Sequence, residues 1–110
     1  AINPTLLEGQ IEGGVAQGLG LALMEECHPG RGENLHDYLI PTIGDLPPIE
    51  CILVEQPASV GPFGAKGVGE QALIPTAPAI FNAIRHAAGV AVTRAPATPD
   101  RLRAALKTRG

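Results

Sequence analysis

Aromatic side chains are almost missing from this sequence: two Phe, one Tyr and no Trp in 110 residues. Single-stranded nucleic acid needs rings to stack on, and any nucleic acid needs cationic surface; the net charge here is −3. Nucleic acid is therefore excluded as a partner. No uninterrupted apolar run reaches the roughly 18 residues that a bilayer demands, so no transmembrane segment is expected. The start, Ala1-Ile-Asn-Pro-Thr5, has no basic stretch followed by an apolar one, so no signal peptide is read there. Cysteine is scarce too. Cys27 and Cys51 are too few to ligate an iron–sulfur cluster and lack the CxxC spacing of a zinc site. A reduced, cytoplasmic chain is the expectation. His28, His36 and His86 read as solvated surface, and no metal site built from side chains is expected.

What is abundant is glycine and proline, 14 and 11 residues, in a chain whose 45% hydrophobic content excludes disorder. The length bounds residues 1–110 to a single domain or segment. A core of small aliphatics in so short a chain buries a modest share of its surface. The expectation is that it completes its core against other polypeptide.

Asn3-Pro4 reads as a helix cap followed by proline at the first helical position. Leu7, Ile11, Val15, Leu19 and Leu23 then recur every four residues, which predicts an amphipathic helix over about 4–26. Five glycines interrupt it, and Gly9, Gly13 and Gly20 fall on one arc flanked by Gln10 and Gln17. That bare strip suits close approach by another element or by a ligand, with plain helix packing as the alternative. Residues 28–48, broken by glycines 30, 32 and 44 and by prolines, read as irregular. Ile49–Gln56 reads as a buried strand, residues 76–88 as a second helix closed by Gly89, and 90–93 as a short strand. Thr98-Pro-Asp100 opens a last helix. The predicted class is α+β: a long glycine-rich helix, short buried strands and two further helices.

The segment Gly61-Pro-Phe-Gly-Ala-Lys-Gly-Val-Gly-Glu70 is the densest chemical candidate. Its glycines let backbone N–H groups press against a ligand. A P-loop requires Ser or Thr after its lysine, and Lys66 is followed by Gly67. The dinucleotide fingerprint fails on glycine order. Glu70 is either a first-turn carboxylate that complements a helix dipole or a base held beside a ligand. Lys66 is either a phosphate contact or an exposed loop charge.

Glu8-Gly-Gln-Ile-Glu-Gly-Gly-Val-Ala-Gln-Gly-Leu-Gly20 resembles the glycine-rich helix near the end of molybdenum hydroxylase large subunits. That family holds xanthine dehydrogenase, aldehyde oxidase and carbon monoxide dehydrogenase. Asn34-Leu-His-Asp-Tyr-Leu-Ile-Pro41, Gly64-Ala-Lys-Gly-Val-Gly-Glu70 and Ala95-Pro-Ala-Thr-Pro-Asp100 are similar to further segments of it, in the same order. The resemblance implies the C-terminal part of a molybdopterin-binding domain. It implies Glu70 as the general base beside molybdenum. Gln10, Lys66, Gly67, Val68 and Gly69 would lie along the molybdopterin-type cofactor, with Gln17 in the vicinity. Iron–sulfur clusters and FAD would sit on partner domains or subunits. The implied reaction is oxidation of aldehydes, N-heterocycles or related small molecules with water-derived oxygen, inactive without the rest of the subunit. The rival expectation is a non-catalytic module that packs on a partner subunit.

Overall fold

The computed structural model describes residues 1–31 and 33–108; Gly32, one of the breakers expected in the irregular stretch, lies outside the described residues. Three α-helices carry the architecture: α1 (Pro4–Leu23), α2 (Leu73–Ala88) and α3 (Pro99–Lys107). A single 3₁₀ turn spans Pro62–Gly64.

Local chemistry sets the helix ends. Asn3 is extended, and its side chain accepts from the Leu6 N–H at 3.1 Å, which satisfies one of the free donors of the first turn. The helix closes three residues before the expected Glu26. The N–H groups of Met24 and Glu25 both converge on the Gly20 carbonyl, at 2.9 and 2.8 Å, and no further turn follows. Helix α2 starts at Leu73, earlier than the expected Thr76, because Pro75 falls in the first turn, where its missing N–H removes no helical bond. Gly89, at φ 65°, supplies the left-handed closing residue, and its N–H returns to the Arg85 carbonyl. Thr98 caps α3 through Arg101 N–H.

The expected α+β class is corrected: among the described residues there is no strand. Residues 49–56 are extended but make no ladder hydrogen bonds. Ile52 and Val54 are 80% and 90% exposed rather than buried on both faces. Residues 90–93 also run without a partner. A strand exists only as one side of a ladder, so apolar, β-branched composition alone leaves an extended segment.

Helices α1 and α2 pack together, and the glycines that permit it are not the ones expected. A Cβ on Gly14 would stand 2.8 Å from the Ala72 Cβ, and one on Gly18 would stand 2.5 Å from the Thr76 Cβ. Gly9 and Gly13 face open space, and Gly20 abuts Glu25 and Pro41. The contact row is Gln10, Gly14, Gly18 and Ala22, four residues apart along one side of α1. The predicted stripe Leu7, Ile11, Val15, Leu19, Leu23 runs beside that row and is half-buried.

The last helix is tied back by charge. Arg101 and Arg94 both donate to Glu26 Oε1, the latter at 3.1 Å, and His28 Nε2 lies 3.6 Å from Glu26 Oε2. The Ala97 N–H also donates to the Ala22 carbonyl at 2.6 Å. The Arg101 hydrogen bond, opposed by desolvation and aided by the charges of Arg101, His28 and Arg94, holds the Glu26 carboxyl below its ordinary value of 4.5. A depressed carboxylate contributes stability that is present above the ordinary value and lost as pH falls through the folded one. Protection of the amides across residues 99–107, measured against their intrinsic exchange rates, should therefore fall below about pH 4.5. In Glu26→Gln protection should be low already at neutral pH and show no such step.

The glycine assignment has its own thermal test. Gly18→Ala drives a methyl into the β-branched Thr76, whose Oγ1 is held on the Ala72 carbonyl at 2.6 Å, and should cost roughly 1–3 kcal/mol. Gly13→Ala meets nothing within 4 Å and should gain up to about 1 kcal/mol from helix propensity. Melting temperatures that move in opposite directions would establish the contact row; a common direction would refute it.

Candidate functional site

Two segments remote in sequence meet at one hydrogen bond. Gln10 Nε2, from the first half of α1, donates to the Gly69 carbonyl at 2.7 Å, across 59 residues of chain. Helix α1 presents the amide because residue 10 heads the row that packs on α2. The loop presents its carbonyl because Gly67 and Gly69 carry no side chain and have open space where a Cβ would be.

This contact forms one wall of a groove of about 1010 Å³. Gln10, Lys66, Gly67, Val68 and Gly69, all expected to lie together, do line it. Leu6, Val54 and Phe63 add apolar surface. The backbone N–H groups of residues 66–70 donate to nothing among the described residues, and the Gln10 side-chain oxygen accepts nothing. Lys66 has no ion-pair partner among them either. The cradle thus offers a run of neutral donors, one free acceptor and one cation. Such a set suits a large polar ligand bearing ring heteroatoms or phosphate oxygens.

Glu70 stands at the edge of this arrangement, exposed and outside the groove lining. Its carbonyl receives the N–H groups of Leu73 and Ile74 at 3.1 and 3.2 Å, so its backbone is fixed to the first turn of α2. Its carboxylate has no partner among the described residues. Gln71 Nε2 steadies the same loop by donating to the Gly67 carbonyl at 2.9 Å. Gln17 is not part of the groove; it lines a separate recess of about 370 Å³ with Leu21, Glu25 and Ile40. Beside that recess Tyr38 donates to Glu25 Oε2 at 2.6 Å, and this bond raises the phenol above its ordinary range. Among the described residues, no group of three His, Cys, Asp or Glu side chains is placed to hold a metal ion. No helix among them is long and apolar enough to cross a membrane.

Residues 1–47 match the molybdopterin cofactor-binding domain family. The chain is 45% identical, over 107 residues, to a xanthine dehydrogenase molybdenum-binding subunit of Escherichia coli, and the match covers 92% of this chain and 14% of that one. It is 40% identical over 114 residues to the nicotine 6-hydroxylase large subunit of Paenarthrobacter nicotinovorans, covering 96% and 14%. Its backbone superposes on the crystal structure of the aldehyde oxidoreductase of Desulfovibrio desulfuricans with a TM-score of 0.89 at 42% identity, covering 94% of this chain and 12% of that one. Over more than nine-tenths of its length the chain is similar to the large subunits of molybdenum hydroxylases. It spans about one-seventh of the length of the large subunits it matches.

The structure departs from the sequence reading in two ways. The close-packed glycines are Gly14 and Gly18; the signal for them was Gln10 itself, since a residue that reaches α2's loop puts its four-residue row on that side. Phe63 was not singled out at all. It is the one non-glycine among the described residues with positive φ, 53°, and its ring is 94% exposed on the groove. A left-handed aromatic residue carries about 1–3 kcal/mol of strain, and bulk gave no hint of it in the sequence.

Loss of the bridging amide has a local signature. Gln10→Ala should leave α1 intact, since alanine is the better helix former, while the backbone order parameters of residues 66–71 fall. Unchanged order parameters would mean that the loop holds its shape without α1.

Proposed function

We propose that this chain is the C-terminal part of the molybdopterin-binding domain of a molybdenum hydroxylase large subunit, with Glu70 as its general base. The observation that carries the reading is the Gln10–Gly69 hydrogen bond. It joins the two glycine-rich motifs that resemble the family's cofactor-contacting segments, on one wall of a groove lined by unpaired N–H groups. These donors, the free Gln10 oxygen and the Lys66 cation fit a pterin with its phosphate. Gln10, Lys66, Gly67, Val68 and Gly69 would hold the molybdenum cofactor, which when bound supplies two-electron redox chemistry that no amino-acid side chain can.

The chain's own contribution is placement and one proton transfer. Backbone amides 66–69 bind without charge and without flexible stems, so they lose little freedom on binding. Glu70, its backbone locked to α2 by two hydrogen bonds, accepts a proton from water on a carboxylate oxygen that nothing among the described residues occupies. The deprotonated water supplies the oxygen that an aldehyde, an N-heterocycle or a related small molecule gains. The two electrons released would be taken up by the bound cofactor and carried away by iron–sulfur clusters and FAD on partner domains or subunits. The relatives named xanthine dehydrogenase, nicotine 6-hydroxylase and aldehyde oxidoreductase support this substrate range.

A second reading draws on the thin interior of the chain. Ala22, Val90 and Ala97 are its buried hydrophobic residues among those described, and no large side chain is fully buried. A module that docks on a larger body without reacting would look the same in this respect. Glu70→Gln in the full-length subunit, assembled with its partners, separates the two. If Glu70 is the base, reduction of the molybdenum centre by substrate should slow by roughly 10²–10⁴-fold at equal molybdenum content. A rate near the parental one would leave Glu70 as an exposed residue ahead of α2; the expected first-turn role is corrected, since α2 begins at Leu73 and has no acidic residue in its first turn.

A further inference from the structure

We propose that Gly14 is a positioning residue for this site, setting the distance at which the first turn of α2, and Glu70 with it, stands from Gln10. The inference rests on the reading of Glu70 as the base.

Three contacts follow one another in the same direction along α1. Gln10 meets the Gly69 carbonyl, Gly14 meets Ala72 and Leu73, and Gly18 meets Thr76. Gly14 is one helical turn from Gln10, and its neighbours Ala72 and Leu73 follow Glu70 by two and three residues. A Cβ there would lie 2.8 Å from the Ala72 Cβ and 3.0 Å from the Leu73 nitrogen. That nitrogen is the one whose N–H donates to the Glu70 carbonyl at 3.1 Å. A methyl on Gly14 therefore pushes on the bond that anchors the proposed base.

The atoms in the way cannot step aside. One is a methyl set directly on the backbone and the others are backbone itself, so the whole turn must withdraw by about 0.6 Å or more to reach ordinary contact. Gln10 does not move with it, because a substitution at residue 14 leaves α1's own geometry unchanged. The Gln10–Gly69 hydrogen bond, at 2.7 Å, has little length to give before it fails. Gly13, the adjacent glycine, has open space at the same position. The requirement belongs to residue 14 and not to glycine-rich composition in general.

The test uses the full-length subunit assembled with its partners, and compares Gly14→Ala, Ala72→Gly and the double variant. Gly14→Ala should lower kcat by roughly 10–10²-fold, the scale of a misplacement of about 1 Å, with molybdenum content and KM within about twofold of the parent. Ala72→Gly in the double variant removes the nearest of the three obstructing atoms and should restore part of the lost rate. A role through stability alone would lower molybdenum content or the amount of assembled enzyme, not kcat at equal molybdenum content. Parental turnover in Gly14→Ala overturns the proposal. So does a loss that Ala72→Gly fails to recover, including the case in which the single variant does not assemble. Hydrogen exchange at Leu73 and Ile74, whose N–H groups donate to the Glu70 carbonyl, reads the spacing without reference to catalysis, and should rise in the single variant and return toward the parent in the double. Unchanged exchange overturns the proposal whatever Glu70 does. A Glu70→Gln enzyme with parental rate, alongside altered exchange in Gly14→Ala, would instead refute the base reading alone.

Discussion

The distance between two helix backbones governs everything else that this chain brings to its site. Helix α1 approaches the first turn of α2 more closely than side chains allow, through Gly14 and Gly18. Each glycine in a helix interior costs about 1 kcal/mol relative to alanine. Five such residues in a single 20-residue helix are a substantial local penalty. For two of them the return is visible in this chain, because any Cβ would collide with α2. The penalty exchanges intrinsic helix stability for a fixed register, and that register carries Gln10 onto Gly69 and fixes where α2 begins, three residues after Glu70.

Little else in the chain could fix it. The radius of gyration is 17.3 Å, against about 13 Å for a compact domain of this length. Val54, Ile52, Val60 and Phe63 are left largely open to solvent. Burial therefore supplies a small share of the ordering, and specific polar ties supply more than usual. Glu26 gathers Arg101, Arg94 and His28, Glu25 takes Tyr38, and Gln10 takes Gly69. Exposed ties of this kind are individually weak. They specify geometry more than they stabilise it.

Helix positions were legible because their signals are local. Asn3 and Thr98 cap, Gly89 closes, and the four-residue stripe lies within one helix. The strands were misread because the decisive partner is not local. Ile49–Gln56 has strand composition, yet a ladder needs a second backbone, and none of the described residues provides one. The glycine row was misread for a related reason. Gly9, Gly13 and Gly20 do share an arc, but which arc meets α2 depends on where α2 lies. The grouping of Gln10 with residues 66–69 was legible only through the family's motifs, since no spacing rule connects positions 59 residues apart.

Glu70 shows how the work of such a site divides. Its backbone is held by the two hydrogen bonds that begin α2, and α2 is held by α1 through Gly14 and Gly18. Its carboxylate meets no group among the described residues and stands exposed. Position is therefore supplied here, and enclosure is not. A general base needs both, because water competes for any carboxylate that it can reach and blunts its preference for one particular proton. Under the proposed role of Glu70 as base, further polypeptide would have to close over the groove before the carboxylate could act, because only then would the proton it meets be the substrate water's and not bulk solvent's.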